Sequence, residues 1–88
     1  MRFYVYLIIS KKFNKYTSYV SYAKNVKKRV DLHNKSKGAK FTKGKNWILA
    51  YTKSYKNKSI AMKEEYKLKK NYLLRNKIKK NYFANVKI

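Results

Sequence analysis

Cysteine and proline are absent from this 88-residue chain, and glycine occurs only at Gly38 and Gly44. Without thiols, disulfides and thiolate metal centres are excluded, and the redox compartment leaves no trace. No proline and little glycine mean few sharp turns and dense regular structure. Acidic side chains are as scarce: Asp31, Glu64 and Glu65 stand against 25 lysines and arginines, a formal charge of +22. No long hydrophobic run is present either. The longest apolar opening, FYVYLII at 3–9, is too short to span a membrane and lacks a small-residue cleavage site. The expectation is a soluble intracellular protein of the cytoplasm, nucleoid or nucleus.

What the chain does contain is 44% apolar and 17% aromatic residues, too many for a disordered basic tail. Its length suits one domain, residues 1–88, with one core. The charge points to a polyanionic partner, because each phosphate neutralised releases condensed counterions. An A/T-rich genome explains lysine over arginine, but it does not explain three carboxylates, whose codons tolerate the same bias. Nucleic acid is therefore preferred over an anionic membrane surface.

Residues 3–9 and 16–22 are tyrosine- and β-branched-rich and flank the polar stretch SKKFNK, which reads as a β-hairpin. Residues 25–34 read as a helix, with Asn25 as cap and Val26, Val30 and His33 on one stripe. The glycine-containing stretch 34–45 reads as a flexible basic loop, and WILAYT at 47–52 as a third strand. A helix capped by Ser59 runs to about Lys70, and a last helix spans about 72–86, with Leu74, Ile78 and Tyr82 on one face. The fold class is α+β: a three-stranded antiparallel sheet flanked by helices, in the order β-β-α-β-α-α.

Two polar placements break this pattern. Ala61, Glu65, Leu68 and Tyr72 share one helical face, so a carboxylate lies within an apolar stripe. A buried carboxylate needs a cation, a metal ion or a proton; a lysine or arginine partner and a divalent ion both remain open. Glu64 projects elsewhere and suits a surface pair with Lys67. On the first helix, His33 lies in the valine stripe with Arg29 one turn back. Such a histidine is commonly a satisfied core residue. An inward arginine favours phosphate instead, because its planar fork keeps its charge when desolvated.

With these residues in view the chain resembles the GIY-YIG nuclease domain, and more closely its small stand-alone UvrC-like, UPF0213-type members. Tyr4-Val5-Tyr6 matches the first motif, with tyrosine at the glycine position, and Tyr19-Val20-Ser21 matches the second. Arg29 follows ten residues after Tyr19, then His33-Asn34, the KGAKFTKGK loop, and SIAMKEEYKLKK, which holds Glu65. The resemblance covers about residues 3–78. Ser21 replaces the second motif's glycine, and the hairpin turn is longer than usual by two or three residues. A register that uses Tyr16-Thr17-Ser18 as the second motif is the less favoured alternative.

The resemblance implies a metal-dependent endonuclease hydrolysing DNA phosphodiester bonds with little sequence specificity, in repair, recombination or single-strand processing. DNA is preferred over RNA as its partner, and no membrane is implied. One divalent ion, Mg²⁺ or Mn²⁺, would be held by Glu65. Tyr6 would act as general base or orient the attacking water, and Tyr19 would bond the ion's water shell or the nucleophile. Arg29 would stabilise phosphoryl charge, and His33 would contact the phosphate or assist proton transfer. Lys28, Lys37, Lys40, Lys43 and Lys45 would track the backbone. Ser21 motivates the alternative, a catalytically degenerate domain that binds nucleic acid without cutting it.

Overall fold

A computed structural model describes residues 2–12 and 15–86. Its elements run β1 (Phe3–Lys12), β2 (Lys15–Ala23), α1 (Val26–Asn34), β3 (Ile48–Tyr55), α2 (Lys58–Lys70) and α3 (Tyr72–Val86). The sheet is antiparallel with spatial order β2-β1-β3, so the most apolar strand lies in the middle. That position explains the unbroken run Val5–Ile9. Each of these side chains is at most 1% exposed, because a central strand covered on both faces has no solvent side.

Alternation along β1 divides the core. Val5, Leu7 and Ile9 pack with Val20, Ala61 and Leu68, on the side where Ile78 and Tyr82 also dock. Tyr6 and Ile8 pack the other way with Trp47, Tyr19, Val26 and Val30. The register sets Tyr6 opposite Ser21 and Ile8 opposite Tyr19, so these four side chains share a face. On the other edge the pairing passes from Leu7↔Tyr51 to Ile8↔Leu49, skipping Ala50, a one-residue bulge in β3.

Asparagine starts all three helices. The side-chain oxygens of Asn25, Asn57 and Asn71 accept from the backbone N–H groups of Lys28, Ile60 and Leu74, at 3.0, 2.9 and 3.1 Å. Asn57, not Ser59, caps α2. The asparagine lies two residues upstream and is at least as good a cap, so Ser59 is left within the first turn. Tyr72 likewise leaves the Ala61–Glu65–Leu68 stripe. The helix ends at Lys70, and Tyr72 opens α3 with 63% of its surface exposed.

The hairpin differs from expectation in the same way. Ser10, Lys11 and Lys12 continue β1, and pairing extends to Lys12↔Lys15. The extra residues therefore lengthen the strands. The expected turn residues 13–14 lie outside the described residues. Among the described residues, no helix is long and apolar enough to cross a membrane.

Candidate active site

The 34–45 stretch is folded against the sheet, contrary to the flexible loop expected of it. Ser36 (φ 61°) and Gly44 (φ 75°) turn the chain back, and the Gly44 N–H donates to Ser36 Oγ at 3.2 Å. This brings Thr42 to full burial beside His33. The Thr42 hydroxyl donates to the Ala39 carbonyl at 2.9 Å. Having used its one proton, Thr42 Oγ1 can only accept from His33 Nδ1–H, also 2.9 Å away. The imidazole's other nitrogen, Nε2, then carries a lone pair, and the Tyr6 phenol donates to it at 2.9 Å. The outcome is a directed chain from Tyr6 through His33 and Thr42 to a backbone carbonyl.

The electrostatics agree with this direction. Burial lowers the proton affinity of His33, and the nearby Arg29 cation lowers it further, so the ring is neutral. Burial pushes the Tyr6 phenol above its ordinary value near 10. The Ser21 hydroxyl and Arg29 guanidinium pull the other way, because both favour the charged phenolate. Ser21, the departure from the motif glycine, thus adds a polar partner to Tyr6. Arg29 is exposed on α1 and not on its inward edge, yet its charge acts on both the phenol and His33.

Tyr19 closes the outer side. Its ring meets His33 edge-on at 5.2 Å and stacks on Phe41 at 5.9 Å. Asn34 has a different task from its neighbour His33. Its side chain donates to the Trp47 carbonyl at 3.1 Å and accepts from the Trp47 N–H, and the Trp47 indole in turn donates to the Thr42 carbonyl at 2.9 Å. Asn34 therefore holds the loop that holds His33. Val5 and Val20 are core anchors on the opposite face, and Tyr4 lines a shallow groove with Lys24, Asn25, Val26 and Thr52.

Glu65 is engaged by a lysine of its own helix. Its side chain is 14% exposed and pairs with Lys69 one turn along α2, Oε1 to Nζ 3.3 Å, while Glu64 pairs with Lys67 at 3.2 Å as its spacing predicts. The connection to the cluster is indirect: Lys69 and Tyr19 line the same cavity of about 280 Å³ at the β2 edge. Among the described residues, no group of three histidines, cysteines or carboxylates could cage a metal ion. A single carboxylate whose ammonium partner is 48% exposed nevertheless fits a mostly hydrated Mg²⁺ or Mn²⁺ held at one point.

Of the lysines expected to track phosphate, Lys45 lines a groove beside Phe41, and Lys28, Lys37, Lys40 and Lys43 are exposed. Four contributors escaped the sequence reading. Thr42 and Trp47 show their role only through contacts. Arg75 lies near the end of the chain and reaches the β2 edge. Gly38 was visible as a loop glycine, but its reason was not. A Cβ there would sit 2.3 Å from His33 Nδ1, so the His33 ring occupies the space a side chain would need.

Comparison with known proteins gives a consistent assignment. The family described as the GIY-YIG catalytic domain matches residues 2–82. UPF0213 proteins of Staphylococcus aureus, those of strains COL and Mu50 among them, are 46% identical over 52 residues, 58% of this chain. That stretch spans 63% of the length of these relatives. A UPF0213 protein of Bacillus halodurans, solved by NMR, is 36% identical, with 78% of this chain and 71% of that chain covered and a TM-score of 0.41.

Proposed function

The chain belongs to the GIY-YIG catalytic-domain family, and from that membership we propose that it is a metal-dependent endonuclease hydrolysing DNA phosphodiester bonds with little sequence specificity. Repair, recombination or single-strand processing is its setting. The observation that carries this reading is the directed chain from Tyr6 to His33 and Thr42, with Arg29 beside the phenol.

In hydrolysis a water attacks phosphorus and loses a proton while the sugar oxygen departs. A phenol accepts that proton only after giving up its own, and Nε2 of neutral His33 is already positioned to take it. His33 therefore assists proton transfer rather than contacting the phosphate. Arg29 stabilises the charge spread over the phosphoryl oxygens, and Tyr19 orients the nucleophile. Tyr6 and His33 are buried, so substrate meets Arg29 and Tyr19 first. The guanidinium moving onto phosphate opens the way to the phenol. Glu65, released from Lys69, would hold the divalent ion, which supplies Lewis-acid charge and an acidified water when bound.

Burial of Tyr6 and the Glu65–Lys69 pair favour a second reading, a domain of this fold that binds nucleic acid without cutting. Incubation with single-stranded, duplex and branched DNA, and with RNA, in Mg²⁺, Mn²⁺ or EDTA separates the two. Cleavage that is lost in EDTA, in Glu65→Ala and in Arg29→Ala supports hydrolysis. Tight binding without cleavage under either metal would overturn it in favour of the second reading.

A further inference from the structure

At the outer edge of β2 the protein carries a groove whose wider part has no role in the chemistry above. Its wider part, about 550 Å³, is lined by Lys15, Tyr16, Thr17, Ser18, Phe41, Lys45 and Arg75. The narrower cavity beside it shares Ser18, Phe41 and Arg75 and adds Tyr19 and Lys69. Among the described residues, no carboxylate lines either part. Phe41 leaves 54% of its surface exposed although Tyr19 stacks on its ring, and Lys45 Nζ lies 5.6 Å from the ring centre. An exposed aromatic ring among cations is expensive to hydrate and well matched to a nucleobase with its phosphate.

Arg75 lines both parts of the groove, and its guanidinium lies over the Tyr72 ring at 5.7 Å. A guanidinium in a cation-lined groove is matched to phosphate oxygens, which its planar fork bonds in pairs.

We propose that the groove is a subsite for one unpaired nucleotide, with its base stacked on Phe41 and its phosphate on Arg75. Inside a duplex every base is covered on both faces, and an end pair exposes a face only with its partner strand attached, so the subsite favours single strands or frayed junctions. The next nucleotide runs past Tyr19 toward Arg29, because Tyr19 lines the groove and also touches His33. The inference rests on a nucleic-acid substrate but not on cleavage.

The test is equilibrium binding in EDTA, with a labelled oligothymidylate of roughly 12 nucleotides and a duplex of equal length. Phe41→Leu should weaken the single strand about 5- to 100-fold and the duplex by less than about twofold, whereas Phe41→Tyr should retain the preference. Arg75→Ala should weaken the single strand and lower its salt slope by about one. A 2-aminopurine within the strand should be quenched on binding to the parent protein and not to Phe41→Leu. Equal losses for both forms, losses no greater than with Lys37→Ala, or displacement by polyglutamate as ready as by unlabelled strand would overturn the subsite. Cleavage that persists with no strand preference would sink the subsite alone. Stacking without any cleavage would instead sink the hydrolase reading.

Discussion

The contact between Gly38 and His33 sets the position of the imidazole. Gly38→Ala inserts a methyl where the ring already sits. The ring or the loop must move, and overpacking of this kind costs about 1–3 kcal/mol. Urea unfolding should show that loss, and cleavage should fall with it, because His33 Nε2 would leave Tyr6. His33 also couples stability to pH. Its folded proton affinity lies below the ordinary value of 6.5, so the unfolded chain binds the proton more readily. Its contribution is complete above pH 6.5 and is lost as pH falls toward the lowered folded value. A His33→Gln variant should lose that part of the slope in thermal unfolding. The acid limb of cleavage should likewise have its midpoint below 6.5, since protonated His33 cannot accept from Tyr6.

At the scale of elements, caps and stripes were legible and their exact ends were not. The α1 stripe of Val26, Val30 and His33 and its Asn25 cap follow from helical spacing and from an oxygen placed to meet an orphan N–H. For α2 the sequence reading took Ser59 as the cap, and the hydrogen bond to Ile60 places it at Asn57, two residues upstream. Asn57→Ala should destabilise the protein by about 1 kcal/mol in chemical denaturation, with Ser59→Ala close to neutral. The loop after α1 was misread for a physical reason. Lysine and glycine content signals solvation, whereas the Thr42, Trp47 and Asn34 bonds that pin it join residues without a periodic pattern. Asn34→Ala should therefore reduce cleavage despite having no contact with Tyr6, and amide exchange across 36–47 should speed up.

For the molecule as a whole, a net charge of +22 would drive encounter with a polyanion, and the proposed subsite would refine it. With +22 formal charges against nucleic acid, roughly 6–10 phosphate contacts would reduce affinity about 10³- to 10⁵-fold between low and moderate salt. Measured log–log salt slopes should be steep for every nucleic acid tested. Phe41→Leu should leave the slope unchanged while lowering the intercept for single strands, because stacking releases no counterions. Lys28, Lys37, Lys40 and Lys43, all exposed, add to this field.

Local periodicity alone pointed to the three-strand sheet and the three helices and charge to a polyanionic partner, whereas Tyr6, Tyr19, Arg29, His33 and Glu65 were singled out together by the spacing of motifs that resemble the GIY-YIG domain. These features depend on neighbours a few positions apart, or on counts, and both are printed along the chain. Only the tertiary structure decided that Tyr6, His33 and Thr42 form one directed hydrogen-bond chain, that Gly38 makes room for it, and that Glu65 pairs with Lys69. It alone brought Arg75 to Phe41 as well. Strand register and loop closure juxtapose residues that are far apart in sequence, and no local pattern encodes those distances.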